Sequence, residues 1–288
     1  MTDSPWANAV WARQKSARRK SLYLVNNRFC SRQGQPEVRR IGDCVDIADG
    51  HFDAAQHNLP LPPKRVQGDK KLAASAMNVY HRCMVHTTHA LNAHIDQLCA
   101  IEPALAAVIA RLGYPATRVR PVGYETLLRT IVGQQVSVAA AASVWNRLET
   151  LVGSGCPPEA LLAQAEEALR ACGLSRQKQG YARSLAELVV SGAIDLHALP
   201  ADDEDAIAEL VKIKGIGRWS AEIYLLFAEG RPDIWPAGDL AIRIGVGQIL
   251  GLPERPDEKQ VRAIAEKWRP HRSAAALLAW QHYNGATL

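Results

Sequence analysis

Apolar residues recur at helical spacing from about residue 88 to the end of the chain, and no stretch alternates apolar and polar residues as a strand would. Short connections separate the helical segments, and acidic residues at 159, 202–205 and 257–258 stand where they favour a helix start. We therefore predict an all-α fold. The predicted helices span 124–148 with a break at 133–135, 159–172, 178–191, 204–211, 218–229, 240–250, 257–268 and 271–283.

The N-terminal part of the sequence differs from the rest. Residues 1–75 carry 13 Lys and Arg against 7 Asp and Glu and lack regular periodicity, whereas the remainder is nearly balanced in charge. We predict that residues 1–90 form a basic, poorly ordered extension and that residues 91–288 form the folded domain. A nucleic-acid-binding arm is one alternative for the extension, and a wrongly assigned start codon, with Met77 or Met84 as the true start, is another.

Composition bounds the compartment and the partners. Apolar residues make up 48% of the sequence, which is enough for a buried core. No apolar run reaches the roughly 18 residues of a membrane span, and the N-terminus lacks the apolar region of a secretory signal. The six cysteines form no C-x-x-C pair and are typical of reduced thiols. We expect a cytoplasmic protein with no membrane partner.

Two glycines stand between a helix that ends and a helix that begins, in the sequence VKIKGIGRWS. Glycine adopts positive φ and leaves room for another backbone, so Gly215 and Gly217 permit a hairpin with outward-facing N–H groups. Such groups and the helix dipole favour a phosphate, and Lys212, Lys214 and Arg218 add positive charge. An ordinary helix connection with a glycine C-cap shows the same pattern, and the turn alone does not separate the two interpretations.

A single carboxylate follows the second of these helices. The loop ending in WPAGD is rich in Pro and Gly and brings Asp239 to the start of an apolar helix. An Asp at such a junction is most often an N-cap. The same junction can also direct the carboxylate into a cleft, so the structural and the catalytic interpretations are compatible.

Three motifs, in the same order along the chain, resemble the helix-hairpin-helix (HhH-GPD) DNA glycosylase superfamily and, within it, the 3-methyladenine DNA glycosylase II type. The first is YETLLRTIVGQQVS, which begins at Tyr124. The second runs from LVKIKGIGRWSA to WPAGDLAIR and holds both the glycine turn and Asp239. The third is WRPHRS, which begins at Trp268, together with Trp280. The likeness covers about residues 95–285.

The resemblance implies a fold of two helical subdomains with the active-site cleft between them. Residues 123–230 would form the central subdomain, with the hairpin at its end, and residues 91–122 together with 231–288 the second. The resemblance also implies a monofunctional DNA glycosylase of base excision repair. Such an enzyme flips an alkylated purine of the 3-methyladenine or 7-methylguanine type out of duplex DNA and hydrolyses its N-glycosidic bond. We expect a monomer that acts on the bacterial nucleoid.

By the same resemblance, Asp239 is the catalytic residue and stabilises the positive charge that develops on the sugar. An N-alkylated purine leaves as a neutral base, so one carboxylate suffices. Trp219, Trp280 and Tyr224 match the base pocket, where aromatic ring faces favour a cationic base, although each alone is more often a core residue. Gln135 matches the side chain that fills the gap left by the flipped nucleotide. Its alternative role is that of a solvated residue at a helix start.

The hairpin would hold the DNA backbone beside the lesion, and its carbonyl groups would hold an alkali cation. The matching DNA-binding residues, besides Gln135, are Ile213, Lys214, Gly215, Ile216, Gly217 and Arg218. The matching carbonyl groups are those of Val211, Ile213 and Ile216.

Departures from other branches of the superfamily narrow the chemistry. Branches that cleave the DNA strand have a nucleophilic lysine where Trp219 stands, so we expect no strand cleavage. Branches with an iron–sulfur cluster have four cysteines after the aspartate, whereas the last cysteine here is Cys172. We therefore expect no cluster and no other cofactor. A non-catalytic hairpin protein that binds DNA, and a bifunctional glycosylase with lyase activity on oxidised bases, stay as alternatives.

Two further patterns favour structural interpretations. The sequence GVG at 245–247 resembles the start of a dinucleotide fingerprint, but it lies inside a helical pattern with no preceding strand, so we predict close helix packing. A second segment is rich in possible zinc ligands but lacks a second ligand pair at zinc spacing, so we expect no metal site there. Its residues are His81, Cys83, His86, His89 and His94.

Overall fold

The computed structural model describes residues 87–285, and this part of the chain consists of helices joined by short loops, with no strand. The all-α prediction is confirmed. Most of the predicted extension at 1–90 lies outside the described residues. No helix between residues 87 and 285 is both long enough and apolar enough to cross a bilayer. The helices are α1 (Thr88–Ile101), α2 (Pro103–Leu112), α3 (Tyr124–Gly133), α4 (Val138–Val152), α5 (Pro158–Leu162), α6 (Glu166–Ala171), α7 (Arg176–Val190), α8 (Asp203–Leu210), α9 (Arg218–Phe227), α10 (Leu240–Ile249), α11 (Glu258–Ala265), a 3₁₀ turn (Glu266–Trp268) and α12 (Arg272–Gly285).

Side-chain caps fix helix starts that the acidic residues of the sequence predict. Asp202 accepts hydrogen bonds from the N–H groups of Glu204 and Asp205 at the start of α8. Asp257 and Gln260 form a capping box at the start of α11. A cap of this kind contributes about 1 kcal/mol to stability. The position of the acidic residues therefore sets where these helices begin.

One predicted helix is wrong. Residues 159–172 form two short helices, α5 and α6, which are separated at residues 163–165. Arg183 of α7 donates hydrogen bonds to the carbonyl groups of Leu162 and Gln164 at this break. Carbonyl groups at a helix end need partners, and here a guanidinium from another helix supplies them. The break is therefore stabilised by a tertiary contact that no local pattern reveals.

The helices pack into two groups. Helices α1, α2, α10, α11 and α12 form one group, and α3–α9 form the other, in which α7 packs against α3, α5 and α6. The groups meet at the end of α9, where the ring of Phe227 stacks on Trp280 of α12 with centroids 5.7 Å apart. The predicted subdomain boundaries, after residues 122 and 230, stay a prediction. They fall in the two chain connections between the groups.

Helices α10 and α12 approach each other closely at Gly245. A Cβ at this position would lie 2.4 Å from the carbonyl oxygen of Ala279 on α12. A Cβ at Gly247 would lie 2.9 Å from the ring of Pro256. The prediction of close helix packing at this GVG sequence is therefore confirmed. Trp280 follows Ala279 directly, so this contact also sets how far Trp280 lies from α10.

Candidate active site

Asp239 stands immediately before α10 and caps it. Its Oδ1 accepts hydrogen bonds from the N–H groups of Ala241 and Ile242, at 2.9 and 3.1 Å. Two indole groups add to these: Trp280 Nε1 donates to Oδ1 at 3.1 Å, and Trp219 Nε1 donates to Oδ2 at 3.0 Å. The carboxylate therefore receives four N–H donors, although only 8% of the residue is exposed.

The four donors fix the position of this carboxylate. Hydrogen bonds to an ionised group are stronger than those between neutral groups, and the N-terminus of α10 favours a negative charge. The donors come from α9, α10 and α12, so the carboxylate of Asp239 cannot rotate without losing some of them. An anion held in this way can stabilise a positive charge that forms beside it without further reorganisation.

Of the three predicted pocket aromatics, Trp219 and Trp280 come together at the carboxylate. Trp219 is 36% exposed, and Trp280 is partly buried with its ring stacked on Phe227. Tyr224 is only 3% exposed, and its hydroxyl accepts a hydrogen bond from the N–H of Gly123 at 2.8 Å. Its side chain thus supports the connection before α3, and its place in a base pocket stays a prediction.

The loop before Asp239 is held by buried polar side chains. Arg231, which is 6% exposed, donates to the carboxylate of Glu229 at 2.8 Å and to that of Asp203 at 3.0 Å. The hydroxyl of Ser273 on α12 donates to the carbonyl of Arg231 at 2.6 Å. A buried guanidinium is stable only with such partners. The loop is thereby tied to the start of α8, the first helix of the hairpin.

The hairpin joins α8 to α9 over residues 211–217. Gly215 has a φ of 84°, and a Cβ there would lie 2.2 Å from the ring of Tyr181. Only glycine fits this conformation and this space. Gly217 has a φ of −88°, and a Cβ there would meet no atom of the described residues within 4 Å. Conformation therefore explains the first glycine, whereas the second leaves open room for another backbone.

Arg218 is committed to two carboxylates. Its Nε donates to Glu222 at 2.9 Å, and its two terminal nitrogens donate to the two oxygens of Glu204. Glu222 is 2% exposed, and Glu204 lies in the first turn of α8. The guanidinium thus holds the start of α9 against α8. A contact with a DNA phosphate, as the sequence predicts for Arg218, would require it to give up one of these partners.

The two hairpin lysines are exposed. Lys212 forms an ion pair with Glu209 at 2.5 Å, one turn back on α8. The backbone N–H of Lys214 donates to the hydroxyl of Ser184 on α7 at 3.3 Å, which fixes the backbone of the turn. The side chain of Lys214 stands at the surface beside the open side of the hairpin.

The alkali cation expected at the hairpin carbonyls stays a prediction. The side chains of Ile213 and Ile216 are buried and anchor the turn, whereas Val211 is exposed. The carbonyl of Ile213 accepts a hydrogen bond from the N–H of Ile216 at 3.0 Å. A carbonyl oxygen has two lone pairs, so Ile213 keeps one for a cation.

Gln135 lies in the loop between α3 and α4 and is exposed. Its φ is 57°, which residues other than glycine rarely adopt and which is enriched at functional sites. Ser137 fixes the end of this loop, because its hydroxyl accepts a hydrogen bond from the N–H of Ala140 at 3.2 Å. The loop presents Gln135 outward, in a position that suits the predicted gap-filling role.

The histidine-rich segment forms a different contact. His81, Cys83 and His86 lie outside the described residues, and within 87–285 no three His, Cys, Asp or Glu side chains gather around a common point that could hold a metal ion. The Nδ1 atoms of His94 and His271 lie 2.6 Å apart, so one ring donates to the other. Burial lowers the pKa of both imidazoles, which favours their neutral forms.

The chain has two helices joined by a glycine hairpin, and Trp219 on the second helix donates to the carboxylate of Asp239. This arrangement defines a helix-hairpin-helix protein with a candidate active site beside the hairpin. The family described as HhH-GPD superfamily base excision DNA repair protein matches residues 128–271, half of the chain. The chain belongs to this family, and the resemblance that the three motifs indicate is confirmed.

Its relatives and structural neighbours agree with this assignment. DNA-3-methyladenine glycosylase 1 of Schizosaccharomyces pombe is 37% identical over 162 residues, which are 55% of this chain and 71% of that protein. The solved DNA-3-methyladenine glycosidase of Bacillus halodurans has a TM-score of 0.64 and 32% identity, over 67% of this chain and 90% of that one. Mag1 of Schizosaccharomyces pombe, in complex with abasic DNA, has a TM-score of 0.55 and 32% identity, over 69% and 97%. The helix-hairpin-helix glycosylase fold is therefore confirmed.

Two residues of this region escape sequence reasoning. Phe227 supports Trp280 by stacking, but its only signal is a place on the apolar stripe of α9, which any core residue would share. Gln134 reaches across to the hairpin, where its Nε2 donates to the carbonyl of Gly215 at 2.8 Å. Its neighbour Gln135 has the same side chain, so the sequence alone does not separate their roles.

Proposed function

We propose that this chain is a monofunctional DNA glycosylase of the 3-methyladenine DNA glycosylase II type, which releases alkylated purines from duplex DNA. The observation that carries the proposal is the carboxylate of Asp239, held by Trp219 and Trp280 at the second helix of the hairpin. The names of the relatives in Schizosaccharomyces pombe and Bacillus halodurans support the same activity.

The chemistry asks for one well-placed anion. As the N-glycosidic bond breaks, electron density moves to the base and positive charge develops on the sugar. The fixed carboxylate of Asp239 stabilises that charge and can orient the attacking water. A cationic N-alkylated base leaves as a neutral molecule and needs no strong general acid. Hydrolysis of this kind uses only water and the side chains of this chain, so the proposal includes no cofactor.

Trp219 and Trp280 contribute to the proposed site in two ways, by hydrogen bonds from the ring N–H groups and by contact with the ring faces. Their N–H edges hold the carboxylate, and the exposed part of Trp219 leaves aromatic surface for a flipped base. A cation over an indole face gains about 0.5–2 kcal/mol, which favours 3-methyladenine and 7-methylguanine over normal purines. Damaged bases also leave the stack at lower cost.

The DNA contacts follow from the exposed loops. The open side of Gly217 at the start of α9 and the exposed Lys214 suit a phosphate beside the lesion. Gln135, in the loop after α3, suits the gap that the flipped nucleotide leaves. All of these residues belong to one chain, so we expect a monomer to suffice.

Release of free base from methylated duplex DNA tests the proposal directly. We expect the protein to release 3-methyladenine or 7-methylguanine, measured by chromatography, without cutting the strand. An opposite charge about 4 Å away contributes about 4 kcal/mol at an effective dielectric constant of 20, so Asp239→Asn should slow release about 10³-fold. The variant should still bind the duplex.

Asp257→Asn is the matched control, because Asp257 also caps a helix but lies on the surface. It should release base at the wild-type rate. If the wild-type protein binds the duplex but releases no base, the result would support the alternative of a non-catalytic DNA-binding protein. Equal rates for Asp239→Asn and the wild type would remove Asp239 from the mechanism.

A further inference from the structure

The two loops proposed to touch DNA are joined by one side chain. Gln134 ends α3, and its Nε2 donates to the carbonyl oxygen of Gly215 in the hairpin at 2.8 Å. The next residue, Gln135, has a φ of 57° and is exposed. Among the hydrogen bonds within residues 87–285, this is the only one that links the loop 134–137 directly to the hairpin 211–217.

Helix α7 supports each of these loops from below. Lys178 Nζ donates to the carbonyl of Val132 at 2.7 Å, which fixes the end of α3 just before the loop. One turn further along α7, the ring of Tyr181 lies against Gly215, so that a Cβ there would be 2.2 Å from the ring. The loops thus share a support, and Gln134 closes the gap between them.

We propose that Gln134 is a positioning residue that fixes Gln135 relative to the hairpin, so that the grip on the DNA backbone holds the inserted side chain in place. The inference rests on the proposed glycosylase function. Gln134 itself touches no reacting atom. Its amide acts through the Gly215 carbonyl and keeps the loop 134–137 from receding when the base stack resists insertion.

The reason lies in the cost of unstacking. Extruding a paired nucleotide costs a few kcal/mol, whereas an unpaired nucleotide leaves at lower cost. Side-chain insertion offsets that cost only if the inserting loop cannot move away from the phosphate contacts. Loss of the hydrogen bond of Gln134 should therefore matter for a lesion in a stable pair and matter little for a lesion that is already unpaired.

The test compares two duplexes that differ at one position. Both contain 7-methylguanine, opposite cytosine in one and opposite a tetrahydrofuran abasic analogue in the other. We expect Gln134→Leu, which keeps much of the volume but not the donor, to lower kcat/KM about tenfold on the paired lesion, the size of one hydrogen bond. On the unpaired lesion, kcat/KM should change less than about twofold, because the nucleotide leaves the stack there without the help of the inserted side chain.

Gln164→Leu is the matched control. Gln164 is also a half-buried glutamine whose amide donates to a backbone carbonyl, that of Ala160 at 3.0 Å, but it lies in neither of the two loops. The Gln164→Leu variant should have the wild-type kcat/KM on both substrates. Gln134→Asn provides a second variant, because it keeps the amide without adding charge but is one methylene shorter and so reaches the Gly215 carbonyl less well. It should also lower kcat/KM on the paired lesion and leave kcat/KM on the unpaired lesion nearly unchanged.

The outcomes are distinct. An equal loss on both duplexes would mean that Gln134 only supports the fold, and the inference would be wrong. No loss on either duplex would overturn it as well. If the wild-type protein releases no base from either duplex, the proposed function itself fails. Urea unfolding midpoints of the variants show whether a general loss of stability accompanies the change.

Discussion

Replacing Asp239 by asparagine should destabilise the fold as well as slow base release, and the hydrogen bonds of Asp239 show where the loss of stability arises. Three donors point at Oδ1, those of Ala241, Ile242 and Trp280. The amide oxygen of asparagine must take this position to satisfy them. Its NH₂ group then stands where Oδ2 accepts from Trp219 Nε1 at 3.0 Å. Two donors face each other there.

The magnitude follows from one unsatisfied donor. A buried polar group that loses its partner costs about 1–3 kcal/mol. Trp219 is 36% exposed and can turn partly toward water, so we expect the lower part of this range, about 1–2 kcal/mol. For a domain of this size, such a loss lowers the melting temperature by about 2–8 °C.

A double-mutant cycle isolates this contact. Asp239→Asn is made in the wild type and in a Trp219→Phe background, where the opposing donor is gone, and urea unfolding gives the free energy of unfolding of all four proteins. We expect the asparagine to cost about 1–2 kcal/mol in the wild type and much less in the Trp219→Phe protein. Trp145→Phe serves as a matched background, because Trp145 is a buried tryptophan of α4 whose indole N–H finds no hydrogen-bond partner among residues 87–285.

In the Trp145→Phe background the asparagine should cost as much as in the wild type. The reasoning would be refuted if Asp239→Asn were as stable as the wild type. It would also be refuted if the cost were the same with and without the Trp219 indole. Either result would mean that the carboxylate is not held as the hydrogen bonds indicate.

Four further results are expected. Gly215→Ala should lower the free energy of unfolding by more than about 1 kcal/mol, because its φ is 84° and its Cβ would meet a ring. Gly217→Ala should leave stability within about 1 kcal/mol but weaken duplex binding in an anisotropy titration; unchanged affinity would remove the hairpin from the DNA contact. Burial lowers the pKa of His94 and His271 below the ordinary value of 6.5, and at His271 the charge of Asp233 opposes this shift. The contribution of the pair to stability is therefore present above pH 6.5 and is lost as the pH falls below it. The urea midpoint should fall on acidification less steeply for His94→Gln than for the wild type, and parallel profiles would contradict this. Borohydride treatment with substrate should trap no covalent complex, and a trapped one would restore the lyase alternative.

The local rules predicted most helices of the fold and the place of Asp239. Helical periodicity and acidic first turns located most helices, because both depend on residues within one or two turns of each other. Asp239 was a candidate because a Pro- and Gly-rich loop leads into an apolar helix, which is a local signal as well. Three motifs in order along the chain then indicated the family, and the match to residues 128–271 confirms it.

What the sequence could not predict depends on partners far along the chain. The break near Gln164 is held by Arg183 from another helix. The sequence predicts Arg218 as a phosphate ligand beside two glycines, but both of its terminal nitrogens donate to Glu204, which lies 14 residues earlier on the neighbouring helix. These contacts are set by how helices pack, and that information is spread over the whole core.

Helix α9, the second helix of the hairpin, connects the proposed phosphate contact to the carboxylate of Asp239. Gly217, at its N-cap, offers the open side to a phosphate, and Trp219, two residues later, donates to the carboxylate. Arg218 stands between them and fixes this helix end to α8. Since a helix turn is rigid over this distance, the proposed phosphate at Gly217 and the carboxylate of Asp239 would keep a fixed separation. In the proposed function, placing the DNA backbone would therefore also place the bond to be broken, and Arg218 would contribute by fixing the start of α9 to α8.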